Sequence, residues 1–174
     1  MSGEIFTFRD IYSLPISLII AIDGPVASGK TTVGKILAKK LGYRFLDTGL
    51  MYRAVAWSAL DRQLDSFDER AMATLANSLQ IEVVFDPSDS FSRVMIDGVN
   101  ATSELASPEV ERIVSIVARI AEVRTAMVAA QKRIAAGGQI VMVGRDIGTK
   151  VVPDASVKIY LLASIRERAR RRYE

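Results

Sequence analysis

Residues 24–31 read Gly24-Pro25-Val26-Ala27-Ser28-Gly29-Lys30-Thr31: two glycines with four residues between them, then at once a lysine and a hydroxyl residue. No other feature of the chain constrains its fold as strongly. Glycines let successive backbone N–H groups close around an anion, the lysine adds a point charge, and the threonine hydroxyl can ligate a hard cation. Such a loop works only between a buried strand and a helix N-terminus, and the sequence predicts both. Leu18-Ile19-Ile20-Ala21-Ile22 is a continuous apolar run of strand length, as expected for a parallel strand covered on both faces. Lys30 to Leu41 places Val33, Ile36, Leu37 and Leu41 on one helical face, and Gly42 follows as a residue able to take the left-handed C-terminal conformation. In average composition a chance match to this pattern in a chain of this length is about one in a hundred or rarer. The segment is therefore read as a phosphate-binding loop for a nucleoside triphosphate. Gly24 to Thr31, with Thr32 beside them, are the candidate triphosphate contacts, and Thr31 is the candidate magnesium ligand. The bland alternative is a glycine turn that merely caps a helix.

Composition narrows the chemistry further. The 174 residues are 49% hydrophobic and 25% charged, enough for one packed domain. There is no cysteine and no histidine, which excludes disulfides, thiolate nucleophiles, histidine–metal sites and any imidazole base. What remains is chemistry by positioning, with lysine, arginine, carboxylates and a hard cation. The net charge of +3 owes much to one stretch, Arg166, Arg168, Arg170, Arg171 and Arg172, which lacks interleaved aromatics and so does not suggest nucleic-acid binding. Leu14 to Ile22 is too short to span a bilayer, and acidic Glu4 and Asp10 argue against a secretory signal. The expectation is a cytoplasmic protein, monomeric and without membrane partners, with residues 1–17 as a leader.

Beyond the loop, Arg44 to Leu46 reads as a second strand ending in Asp47-Thr48-Gly49, and Leu50 to Leu60 as a helix. Asp68 is placed to cap another helix carrying Met72, Leu75, Ala76 and Leu79 at helical spacing. The middle of the chain changes character. Ile81 to Phe85 and Val94 to Ile96 have strand composition, and Asp97-Gly98 before Val99 is a hairpin signal. Ser107-Pro108-Glu109 opens one or two helices that run to Gly137-Gly138. Strand character returns in Ile140 to Val143 and Val157 to Leu162, which are apolar and rich in branched residues. Ser164-Ile165-Arg166-Glu167 has the pattern of a capping box, and the helix it opens reaches Glu174 with no stop signal, so the chain reads as cut short. The expected fold is α/β: a three-layer P-loop NTPase with a parallel central sheet and a small α+β insert. The core is assigned to residues 18–62 and 138–174, and the insert with its helices to 63–137.

Four blocks of sequence carry a resemblance. They are Ile22-Asp23-Gly24-Pro25, Leu46-Asp47-Thr48-Gly49-Leu50-Met51-Tyr52-Arg53, Gly144-Arg145-Asp146-Ile147-Gly148-Thr149, and Pro153-Asp154-Ala155-Ser156-Val157-Lys158-Ile159-Tyr160-Leu161. In order and spacing, from Ile19 to Glu174, the chain resembles the bacterial cytidylate kinases of the nucleoside monophosphate kinase family. That resemblance implies transfer of phosphate from ATP, with magnesium, to CMP or dCMP, and makes the 63–137 insert the monophosphate-binding region. It implies that Asp47, Thr48, Gly49, Tyr52 and Arg53 line the CMP site and that Arg53 and Arg145 grip the CMP phosphate. It further implies that Ser115, Arg124 and Asp146 read cytosine, and that Lys30, Arg145 and Asp146 are catalytic. The chemistry is compatible: a guanidinium offers paired donors to phosphate, and an arginine beside a carboxylate matches cytosine's acceptors and amino group.

The chain departs from the family pattern in two places. Many members have an acid directly before Gly-Arg-Asp, where this chain has Val143, so cation-side chemistry would fall to Thr31, Asp23 or Asp47. The family also continues past this last helix into a lid, to whose entrance Arg168, Arg171 and Arg172 correspond. Two alternatives stay open at this point: a relative preferring UMP or another monophosphate, and a nucleotide-binding fragment with little catalysis.

Overall fold

The structure is a computed structural model that describes residues 18–86 and 91–173; the expected leader, residues 1–17, lies outside the described residues. A four-stranded sheet in the order β2-β6-β1-β7 is built from β1 (Ile19–Asp23), β2 (Arg44–Asp47), β6 (Ile140–Gly144) and β7 (Val157–Tyr160). All its pairings are parallel, with Asp23 level with Gly144 on one side and Tyr160 on the other. Because successive side chains point to opposite faces, the apolar runs of β1 and β6 feed two separate cores. Ala21, Leu46, Ile140 and Met142 face helices α2 (Thr48–Asp61), α3 (Glu69–Ser78), α4 (Pro108–Val117) and α5 (Ala121–Ala135). Ile20, Ile22, Phe45, Val141 and Val143 face α1 (Lys30–Leu41). The result is the expected α/β architecture, a parallel sheet between helical layers.

A second, antiparallel sheet contains β3 (Ile81–Asp86), β4 (Phe91–Ile96) and β5 (Val99–Asn100) in sequence order. Its β4–β5 turn is Asp97-Gly98, with φ of 50° and 81°, the left-handed pair that a two-residue hairpin demands. Val94 and Ile96 pack with Ala54 and Leu105. A ring contact between Phe45 and Phe85, centroids 5.3 Å apart, ties this sheet to the main one.

The helix starts follow the predicted caps. Asp68 accepts from the Ala71 N–H at 2.9 Å. Ser107 Oγ accepts from the Val110 N–H at 3.4 Å, with Pro108 in the first turn. The last helix, α6 (Ile165–Tyr173), shows half of its predicted capping box. The Glu167 N–H donates to Ser164 Oγ, while the Glu167 carboxylate turns forward to Arg170 and Arg171, which hold its pKa down to about 2.

One expectation is corrected. In α1 the face against the sheet is made by Gly34 and Ala38, with Leu37 and Leu41 partly buried, whereas Val33 and Ile36 are exposed. The reason is distance. A Cβ on Gly34 would stand 2.6 Å from Val143 Cγ1 and 2.7 Å from Phe45 Cε2, so the helix lies too close to β6 and β2 for a larger side chain there. Hydrophobicity places a residue on a helix stripe but does not report how near the helix lies to its sheet. A short π-helical turn at Ile147–Val151, after β6, carried no sequence signal and was not anticipated.

Candidate active site

The loop after β1 turns through positive-φ backbone at two glycines and at Ala27. Gly24 has φ 153°, and a Cβ there would lie 2.3 Å from the Leu161 carbonyl oxygen, so no side chain fits. Ala27 (φ 60°) and Gly29 (φ 99°) then turn the chain into the N-terminus of α1. Left-handed backbone directly ahead of a helix N-terminus is the pattern that anion-binding loops use. Lys30 Nζ lies back along the loop and donates to the Pro25 carbonyl at 2.7 Å. Its pKa is lowered, first by burial and also by Arg145, against the opposing pull of Asp47 and Asp23.

Thr31 Oγ1 donates to Asp47 Oδ2 at 2.7 Å, while Asp47 Oδ1 accepts from the Gly49 N–H at 3.0 Å and so caps α2. With its proton committed to Asp47, the Thr31 oxygen keeps its lone pairs for a cation. Asp23 is different: both of its carboxylate oxygens accept backbone N–H groups, from Ile147 at 2.7 Å and Gly148 at 2.8 Å. Of the three residues expected to compensate for Val143, the structure therefore pairs Thr31 with Asp47 and commits Asp23 to the turn after β6. Val143 itself is buried against α1.

The candidate acceptor residues come from the end of β2, from α2, α4 and α5, and from the turn after β6. Thr48 is buried, and its hydroxyl donates to the Val143 carbonyl at 2.9 Å; Gly144 leaves it the room, since a Cβ there would come within 2.6 Å of Thr48 Oγ1. Arg124 on α5 donates to Asp146 Oδ2, so a guanidinium and a carboxylate 22 residues apart form one pair. Tyr52 lies beside them. Burial raises its pKa most, and the charges of Arg124, Asp146 and Arg145 all reach it. Arg145 is exposed, and its charge reaches both Lys30 and Tyr52. Arg53 donates to the Leu105 carbonyl at 3.0 Å and to Glu111. Ser115 is exposed on α4, one turn beyond Glu111.

Sequence reasoning missed two residues. Gln131 is 1% exposed on α5; its amide sits beside the Tyr52 hydroxyl, and its Nε2 lacks a hydrogen-bond partner. A signal existed, because Gln131 is a polar residue on the same buried face as Val123 and Met127. Glu111 carried none beyond its charge, yet it also accepts from Arg172 of α6 at 3.1 Å. Of the arginines at the end of the chain, Arg171 reaches the loop itself, donating to the Ala27 carbonyl at 3.3 Å.

A parallel sheet with a glycine loop between its central strand and a helix, and a cluster of arginines and carboxylates alongside, defines a P-loop phosphotransferase fold. The family model for cytidylate kinase matches residues 20–174. A protein named cytidylate kinase from Roseiflexus castenholzii is 52% identical over 158 residues, covering 88% of this chain and 68% of that protein. One of the same name from Bacillus velezensis is 49% identical, covering 90% of this chain and 69% of its own. Another, from Pelotomaculum thermopropionicum, is 48% identical, with coverage of 89% and 68%. The chain thus spans about two thirds of the length of these curated relatives. The chain belongs to the cytidylate kinase family, whose members are nucleoside monophosphate kinases. Among the described residues, no helix is long and apolar enough to cross a membrane.

Proposed function

We propose that the chain transfers the γ-phosphoryl group of ATP to CMP and dCMP, giving ADP and CDP or dCDP. An oxygen of the CMP phosphate attacks the γ-phosphorus, and the bond from that phosphorus to the β–γ bridging oxygen breaks. The attacking phosphate is already ionised near neutral pH, so no general base is needed, and a chain without histidine loses nothing. Catalysis is then alignment of two anions and stabilisation of their charge.

In this reading Gly24 to Thr32 hold the triphosphate and Lys30 lies against its outer phosphates. Arg53 and Arg145 grip the CMP phosphate, and Arg124 with Asp146 read the base beside Tyr52. Magnesium entering with ATP would be held by the Thr31 hydroxyl, oriented by Asp47, and would neutralise charge on the transferring phosphates. The observation that carries the reading is the Arg124–Asp146 pair, set beside Tyr52 and next to an arginine that also acts on Lys30. A guanidinium with a carboxylate complements cytosine, whose N3 accepts and whose amino group donates, and mismatches uracil at both positions.

ADP release followed with CMP, dCMP, UMP and AMP in turn tests this. CMP and dCMP lead if the reading is right; a preference for UMP or AMP overturns it. Titration with ATP and with CMP beside that assay separates turnover from binding alone.

A further inference from the structure

Asp23 ends β1 and directly precedes the phosphate-binding loop, yet its side chain serves another segment. It is 8% exposed, and each oxygen accepts a different backbone N–H, from Ile147 at 2.7 Å and from Gly148 at 2.8 Å. Ile147 and Gly148 are themselves buried and open the π-helical turn that follows Arg145 and Asp146. The first N–H groups of a helical turn have no partner within it, and when buried they need an external acceptor. Asp23 supplies that acceptor from 124 and 125 residues away in sequence. Its own carbonyl accepts from the Leu161 N–H at 2.7 Å, so one residue joins the loop, the turn after β6 and the end of β7. The fit is close: a Cβ on Gly148 would stand 3.3 Å from Asp23 Oδ2 and 3.2 Å from Lys158 Cδ.

We propose that Asp23 is a positioning residue for phosphoryl transfer, fixing the Gly144–Asp146 segment so that Arg145 and Asp146 meet the acceptor in register with the triphosphate loop. This rests on the reading of Arg145 and Asp146 as CMP-binding groups. Both oxygens of Asp23 are taken by backbone N–H groups, and it acts through the backbone it holds. Each N–H meets a different carboxylate oxygen, and Asp23→Asn keeps the shape while turning an NH2 toward one of them.

The test compares the two substrates. In Asp23→Asn, the KM for CMP should rise tenfold or more, while the dissociation constant for ATP, titrated without CMP, should stay within about threefold. That split is expected because the Asp23 side chain bonds the turn after β6, whereas Lys30 is held by the Pro25 carbonyl of its own loop. A general loss of structure would weaken both substrates together, and that result would overturn the proposal. Arg145→Gln serves as the control. If it raises the CMP KM while Asp23→Asn does not, the proposal fails and the site reading stands. If Arg145→Gln leaves the CMP KM unchanged, the site reading fails and the proposal falls with it. Hydrogen exchange on the unsubstituted protein needs no variant: the Ile147 and Gly148 amides should exchange as slowly as those of β1 and β6, and exchange at the rate of exposed loops would overturn the proposal.

Discussion

At Lys30, burial and a nearby arginine oppose the positive charge on which triphosphate binding depends. The folded-state pKa lies below the usual 10.5, so between the two values the unfolded chain holds more protons and stability rises with pH. ATP affinity follows the opposite course, because the binding form is the ammonium. The logarithm of the ATP dissociation constant, measured against pH, should bend upward below 10.5, and Lys30→Arg should move the bend beyond the accessible range. Glu111 presents a second opposition of charges. Its carboxylate holds both Arg53 and Arg172, occupying a guanidinium assigned to the CMP phosphate. Exposed ion pairs are worth about 0.2–1 kcal/mol, so Glu111→Gln should lower the KM for CMP by about 1.4- to fivefold by freeing Arg53. An unchanged or higher KM would show that Arg53 does not meet the phosphate.

Among the elements, α1 shows most directly how packing distance governs sequence. Gly34→Ala adds one methyl where Val143 and Phe45 already stand within 2.7 Å of the new atom, and such overpacking costs about 1–3 kcal/mol in a urea titration. Asp68→Ala, which removes the α3 cap, should cost about 1 kcal/mol in the same measurement. The same contrast explains what was legible beforehand. β1, the loop and the ends of α1 could be read because a buried parallel strand, two glycines and Gly42 each leave a local mark. The Asp97-Gly98 hairpin could be read for the same reason, since its backbone needs positive φ. The inward face of α1 could not, because Gly34 answers to side chains on β2 and β6. The π-helical turn was hidden likewise, since its acceptor, Asp23, lies at the opposite end of the chain. Arg124 and Asp146 became candidates through resemblance alone, whereas Gln131 could have been found as a polar residue within an apolar helix face.

For the molecule as a whole, the site is a junction. The triphosphate loop hangs from β1, the candidate acceptor groups from α2, α4, α5 and the turn after β6, and one core cluster runs from the sheet through four helices. A ligand that binds only the folded state stabilises it by about 2.7 kcal/mol at a hundredfold excess over its dissociation constant. ATP and CMP added together should therefore raise Tm more than either alone, and additive shifts no larger than those with unrelated anions would argue against a shared site.

The central position of β1 also sets the order of events in time. Ile19 is the first residue of the sheet to be made, yet its partner is Ile140, and Ile20 pairs with Val157. At roughly 5–20 residues per second, a ribosome needs several seconds or more after finishing β1 to deliver either neighbour, and contacts so distant in sequence form slowly in refolding too. Until then the glycine loop has no strand to hang from. During renaturation, recovery of ATP binding should coincide with the slow global phase and never precede it, so that the earliest motif in the chain is among the last to become competent.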